Sequence, residues 1–242
     1  MHRFSRTEIL IGSEGLKVLH RSRVMVFGLG GVGSPAAEAL ARTGVGSMVL
    51  VDFDRVSLTN INRQLPALES TVGLLKAEVL AKRIREINPE AEVITVTEKL
   101  TPENTEKFFR YNPDYVVDAI DTLKNKIALI TYMYRKCIPF ISVMGAGNRF
   151  DPTRFKVADI SRTHTCPLTR RVRQALKKEG IYRGVKVVFS EEPPVLERGT
   201  SDEPLPAEKK HIPGSVMFVT ATAGLIAAGE AVKDLLLRHK IL

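Results

Sequence analysis

Short apolar runs alternate with stretches of helical periodicity through the first 144 residues. Residues 23–28 (Arg-Val-Met-Val-Phe-Gly) form a continuous apolar run ending in glycine, and residues 34–43 follow with helix-forming composition. An apolar run too short for a helix, a glycine and then a periodic segment predict strand, turn and helix. The same grammar repeats as a strand at 48–52, a helix at 71–87 closed by Asn88-Pro89, a strand at 92–96 and a helix at 101–109 opened by Thr101-Pro102. It continues with a strand at 115–118, a helix at about 122–136 and a strand at 139–144. This alternation predicts an α/β fold of the Rossmann-like, doubly wound type, its sheet mostly parallel and covered by helices on both faces.

The pattern changes after Gly145-Ala-Gly147. Residues 154–158 and 185–189 read as two more strands around a strongly basic helical stretch. Residues 190–213 are Pro-rich and charged without usable periodicity, which predicts a mobile loop. Residues 215–238, rich in Ala and Thr, read as a closing helix. The expected organisation is one domain over 1–242: a helical arm at 1–22, a core at 23–148, a basic extension at 149–189, the loop at 190–213 and a closing segment at 214–242.

Composition narrows the class. With 242 residues, 44% hydrophobic and 26% charged, the chain is long enough to bury one sizeable core. It has no uninterrupted apolar stretch of membrane-spanning length, and Met-His-Arg-Phe-Ser-Arg lacks the apolar run of a secretory signal, so no membrane span and a cytoplasmic location are expected. Two cysteines, Cys137 and Cys166, neither in a C-x-x-C pair, do not make a disulfide framework or half of a zinc site, so no zinc is expected. Cys137 reads as a core residue. The net charge of +9 suits a polyanionic partner without requiring one.

The chemistry concentrates between residues 28 and 76. Gly28, Gly30 and Gly33 fill a Gly-x-Gly-x-x-Gly turn between a strand and a helix, where backbone can approach phosphate and a helix N-terminus favours the anion. Asp52 ends the second strand, where a carboxylate can accept from ribose hydroxyls, and Asp54 offers a second ribose or loop contact or a solvated charge. These residues alone fit a nicotinamide enzyme equally well. Hydride transfer, however, has no need of cations at the far phosphate, whereas attack on the α-phosphate of ATP develops charge that cations and amides must stabilise. Arg63 supplies a planar fork and Lys76 a point charge, although each taken alone is equally a surface cation. Asp121, just past the strand ending in Asp118, either holds a magnesium ion bridging the phosphates or caps the following helix.

Taken together, Gly28-x-Gly30-Gly31-x-Gly33, Asp52-x-Asp54, Asn60-x-Asn62-Arg63-Gln64, Val72-Gly73 before Lys76, and Asp118-Ala-Ile-Asp121 resemble the ubiquitin-activating enzyme superfamily of adenylyltransferases. The resemblance covers residues 3 to about 160, and Pro213-Gly214-Ser215 before the last helix resembles the family's C-terminal segment. It implies binding of ATP and Mg2+ and adenylation of a carboxylate with release of pyrophosphate. On the matching positions it makes Gly31 and Asp52 nucleotide contacts, Asn60 and Arg63 phosphate contacts, Lys76 the transition-state cation, Asp121 the metal-linked carboxylate, and Thr122 a neighbour of the nucleotide, with Asn62 and Gln64 in the same motif. It also implies a homodimer in which Arg6, from Arg3-Phe4-Ser5-Arg6, acts in the partner's site.

Within that superfamily the chain looks most like the tRNA threonylcarbamoyladenosine dehydratase branch, on Ile87-Asn88-Pro89, Ile138-Pro139, Asp151-Pro152-Thr153 and Pro167-Leu168 opening a basic helix. That implies a tRNA carrying threonylcarbamoyladenosine as acceptor and leaves room for a sulfur-transfer protein partner. Arg162, Arg170, Arg171, Arg173, Lys177 and Lys178 then track tRNA phosphates, or else form a solvated helix face. The competing acceptor is the Gly-Gly carboxylate of a small ubiquitin-like sulfur carrier, and an NAD enzyme is the weakest alternative. Cys166, in Thr163-His-Thr-Cys166-Pro167, is either a nucleophile or incidental.

Overall fold

The computed structural model describes residues 2–196, 199 and 213–242. Seven strands form one sheet: β1 (Arg23–Phe27), β2 (Ser47–Val51), β3 (Glu92–Val96), β4 (Tyr115–Asp118), β5 (Phe140–Val143), β6 (Phe155–Asp159) and β7 (Lys186–Ser190). Their order is β3-β2-β1-β4-β5-β7-β6, parallel throughout except for the antiparallel β6–β7 pair. The chain runs outward from β1 to β3 and then returns to β4 on the other side of β1. The β1/β4 boundary is therefore the topological switch point, above which a crevice opens at the carboxyl ends of the strands.

The inner strands are mostly apolar because both faces are covered, with polar residues such as Arg23, Asp118 and Ser142 at or near strand ends. Val24 and Val26 face one core, shared with Leu40 of α2 (Gly33–Thr43), Leu80 of α3 (Lys76–Ile87), Ala227 of α7 (Met217–Arg238) and Leu19 of the N-terminal helix α1 (Ser5–Arg21). Met25 and Phe27 face the other, with Phe108 of α4 (Thr105–Phe108), Leu129 of α5 (Leu123–Arg135) and Leu176 of α6 (Pro167–Lys178). The closing helix α7 seats tightly on α2: a Cβ on Gly224 would stand 2.1 Å from the Val32 carbonyl. Among the described residues no helix is long and apolar enough to cross a membrane.

The strands match the expected ranges to within one residue, but three helices differ. The helix expected at 71–87 begins only at Lys76, because Gly73 sits at φ +87° and the backbone at 73–76 pairs with 54–56 instead. In that clamp Val56 N donates to Leu74 O at 2.8 Å and Lys76 N to Asp54 O at 3.0 Å. The 101–109 helix shrinks to α4 and a 3-10 turn at Phe109–Tyr111, since the Asn104 side chain takes the Thr101 amide. The expected arm helix breaks at Gly12, φ +74°. Cys137 is exposed, in a left-handed turn after α5, and not in the core. Most of the loop expected at 190–213 lies outside the described residues; at its start Ser190 still belongs to β7, and residues 191–196 follow that strand.

Candidate active site

The turn after β1 is shaped by its glycines. Gly28 lies at φ +81° with a Cβ position 2.9 Å from Ala119 O of the β4 loop, and a Cβ on Gly33 would overlap Gly28 O at 1.7 Å. No side chain fits at either place, so α2 starts directly above the ends of β1 and β4. Gly30 is different: the nearest atom to its Cβ position is Gln64 Nε2 at 3.8 Å, so that face of the turn has room. The amides of Gly30, Gly31 and Val32 make no hydrogen bond among the described residues, which leaves donors at a helix N-terminus for an oxyanion.

Asp52 is buried and holds this turn to the next loop. Its Oδ2 accepts from Leu29 N at 2.6 Å and its Oδ1 from Asp54 N at 2.8 Å. Burial pushes its carboxyl above the usual carboxylate range, against the opposing pull of Lys76 and the two amides. Lys76, expected inside a helix, is instead the first residue of α3. It is 6% exposed, with Nζ donating to Asp54 Oδ2 at 3.1 Å. A lysine sunk beside two carboxylates is not a solvated surface cation, and Asp54 is its anchor.

The segment 58–64 closes the other side. Asn60 is buried, and its Oδ1 accepts from Ser57 N at 3.2 Å while its carbonyl receives the amides of Arg63 and Gln64. Arg63 donates from Nη1 to Thr59 O at 2.8 Å and Asn62 Oδ1 at 2.7 Å, while its Nε and Nη2 make no bond to described residues. Half of its fork is thus fixed and half is available. Asn62 in turn donates to Ser215 O at 2.9 Å, tying this segment to the entry of α7. Gln64 is 8% exposed, yet its Oε1 has no hydrogen-bond partner among the described residues. An orphaned buried acceptor beside Gly30 fits a ligand that brings a hydroxyl or amino donor.

Asp121 lies exposed beyond β4, and the N-cap of α5 is Thr122, so Asp121 stands one residue outside the capping position. Beneath it is a buried group of which the sequence motif contained only Asp118. Lys126 and Asp118, both 0% exposed, pair at 2.8 Å; Ser142 Oγ donates to the same Asp118 oxygen at 2.6 Å, and Lys126 also donates to Ile120 O at 3.0 Å. This network fixes the loop that carries Asp121. A second missed residue is Thr220 of α7, whose Oγ1 is 2.8 Å from the Cβ position of Gly31 and seals the back of the turn. A lysine eight residues after an aspartate, or a threonine in an Ala-rich helix, has no local signature of these roles.

Other expected residues lie elsewhere. Arg6 is exposed on α1, and no hydrogen bond or ion pair joins it to these groups among the described residues. Arg162, Arg170, Arg171, Lys177 and Lys178 are exposed in the extension beyond β6, whereas Arg173 turns inward and donates to Thr163 O, Thr163 Oγ1 and Ile160 O. Among the described residues no three His, Cys, Asp or Glu side chains converge as a metal cage. A cavity of about 450 Å3 lined by Arg3, Arg42 and Arg83 opens at the C-terminal ends of α2 and α3, away from the glycine turn.

The site thus brings together, at one switch point, free turn amides, a buried acid, an anchored lysine and a half-free guanidinium. Known proteins share the whole chain. It is 52% identical over 242 residues to a tRNA threonylcarbamoyladenosine dehydratase of Bacillus subtilis, spanning 98% of this chain and 95% of that protein. It is 40% identical to the Escherichia coli protein of the same name, spanning 97% and 93%. The crystal structure of the E. coli enzyme, TcdA, in complex with ATP superposes with a TM-score of 0.89 at 40% identity, covering 98% of this chain and 95% of that one. The ThiF family profile matches residues 4–241, and the chain belongs to the ThiF family.

Proposed function

We propose that this protein is an ATP-dependent tRNA threonylcarbamoyladenosine dehydratase. One observation carries the reading: the glycine turn, Asp52, Arg63 and Lys76 make a nucleotide cradle with cations at its phosphate end, in a chain 52% identical to a dehydratase of that name. The adenosine ribose of ATP lies toward Asp52, and the phosphates lie along the free amides of the turn. The threonyl carboxylate of the modified adenosine attacks the α-phosphorus, and pyrophosphate leaves. Arg63 and Lys76 stabilise the charge that develops on the phosphoryl oxygens. The carbamoyl group beside the resulting acyl-adenylate then attacks the activated carbonyl, expels AMP and closes a ring, a step that proximity favours without a protein nucleophile.

Gly28, Gly30, Gly31, Gly33, Asn60, Asn62, Gln64 and Thr122 frame the nucleotide in this reading, and Asp121 is the carboxylate for Mg2+. A single exposed carboxylate at the end of β4 fits that ion, which takes one or two carboxylates and completes its shell with phosphate oxygens. When bound, it neutralises phosphate charge. The exposed cations of the extension engage tRNA phosphates. A homodimer with Arg6 reaching the partner's site, a cytoplasmic location, a sulfur-transfer partner and the five-part organisation over 1–242 complete the proposal.

The test is incubation with ATP, Mg2+ and tRNA carrying threonylcarbamoyladenosine, followed by nucleoside mass spectrometry. Loss of the mass of one water from that nucleoside is expected. An unchanged nucleoside, with pyrophosphate released only when a small protein ending in Gly-Gly is added, would transfer the function to sulfur-carrier activation.

A further inference from the structure

We infer that Arg149 forms an oxyanion subsite for the acceptor, an assignment that rests on the adenylating reaction above. Arg149 follows β5 and is 4% exposed, but among the described residues no carboxylate forms an ion pair with its guanidinium. Its Nη1 donates to its neighbour's carbonyl, Asn148 O, at 3.1 Å; the buried Cys166 thiol interacts with it, and its buried Nε has no hydrogen-bond partner among the described residues. Glu192 is an acid whose charge acts on it, but the Glu192 oxygens accept from Phe150 N and Asp151 N at 3.0 to 3.1 Å. Burial accordingly pushes the arginine below its usual pKa range. The charge of Glu192 acts on the guanidinium without an ion pair, and burying a guanidinium with unmade bonds is costly, so such groups persist where an anion completes them.

The position identifies the anion. The order β2-β1-β4-β5 places the ribose acid over β2 and the phosphate cradle over β1 and β4. The next strand end along the sheet, β5, carries the loop from Gly145 to Arg149 and, with the nucleotide bound as proposed above, adjoins its phosphate side. An acceptor approaching the α-phosphate from outside the cradle crosses this loop. The start of α6 packs on the same loop: the Cys166 sulfur lies 3.4 Å from the Cβ position of Gly145, and three residues on Thr169, 1% exposed, has an Oγ1 without a partner among the described residues. The exposed ring of Phe150, stacked edge-on against Phe218, borders the same loop and offers a base-stacking surface. A planar guanidinium with unmade bonds suits a carboxylate or a phosphate diester, both of which the acceptor carries.

The experiment measures pyrophosphate release for wild type, Arg149→Gln and Arg149→Lys, varying modified tRNA and ATP separately. The subsite predicts that Arg149→Gln raises the KM for tRNA on the order of ten- to a hundredfold while the KM for ATP moves less than about twofold, with Arg149→Lys between. The unchanged ATP KM, together with the thermal unfolding midpoint, separates lost recognition from a disturbed fold. Binding of an unmodified anticodon stem-loop distinguishes the sources. Weakening by Arg149→Gln assigns a backbone phosphate, and unaltered binding assigns the threonyl carboxylate. A wild-type-like KM for tRNA in Arg149→Gln, or equal loss toward ATP and tRNA, overturns the assignment. If wild type itself releases no pyrophosphate with this tRNA, it is the dehydratase reading that fails, and the acceptor subsite goes with it.

Discussion

Replacing Lys126 by Met tests whether the buried pair under the β4 loop holds the site together. Lys126 and Asp118 are both 0% exposed and meet at 2.8 Å. Their Coulomb attraction is about 6 kcal/mol at an effective dielectric of about 20, most of it offset by the cost of removing both charges from water. The substitution keeps the bulk of the side chain but leaves Asp118 charged and buried, with only Ser142 Oγ and the Ile120 amide as donors. The expected loss is about 3–5 kcal/mol, a large share of the roughly 5–15 kcal/mol of a typical domain. Adding Asp118→Asn removes the stranded charge while an amide still serves Ile120 and Ser142, so the double variant should recover about 2 kcal/mol or more. The chain has no Trp, so urea unfolding is followed by circular dichroism, with ATP titration in parallel. ATP affinity should remain below wild type in the double variant, because Ile120 O loses its lysine and the Asp121 loop loosens. A loss under about 1 kcal/mol for Lys126→Met, or a double variant no more stable than the single one, would refute the argument.

Four further outcomes are expected. Gly33→Ala, whose Cβ meets Gly28 O, should unfold the protein or abolish ATP binding, whereas Gly30→Ala, with its nearest atom at 3.8 Å, should keep the fold within about 1 kcal/mol and weaken ATP alone; calorimetry and ATP titration separate the two. Arg63→Ala or Lys76→Ala should each reduce the rate of pyrophosphate release about 10²- to 10³-fold, measured at saturating ATP. Arg170→Ala and Lys177→Ala should each lower the log–log salt slope of tRNA binding by about 1, while Arg173→Ala should leave the slope unchanged and lower thermal stability, since its guanidinium is engaged by Thr163 and Ile160. Asp159 is raised by burial, but bonds from Ser161, Gly184 and Val185 outweigh this and hold its carboxyl below the ordinary value of 3.8. With a lowered folded pKa, its contribution is present above pH 3.8 and disappears as pH falls through the folded value. Acid unfolding of wild type should therefore be steeper below that pH than that of Asp159→Asn.

The strands and the doubly wound class could be read along the chain because both depend on local pattern. Buried parallel strands are apolar along most of their length, and the intervening helices must each present one apolar face. The glycine turn was equally legible, since Gly28 and Gly33 occupy places where any Cβ would collide, and the motif around Arg63 and Lys76 pointed to phosphate chemistry. What the chain order did not contain was the set of contacts made between distant segments. Lys76 opens α3 because residues 54–56 capture the backbone at 73–76, and Arg173 leaves the basic face because Thr163 and Ile160 offer it carbonyls. Thr220 backs Gly31 across nearly two hundred residues, Lys126 reaches Asp118 only once β4 and α5 are packed, and Arg149 is recognisable as unpaired only when its surroundings are complete. Periodicity reports which face of an element is buried. Which buried polar group finds a partner, and which is left for a ligand, is settled by how the elements pack in three dimensions.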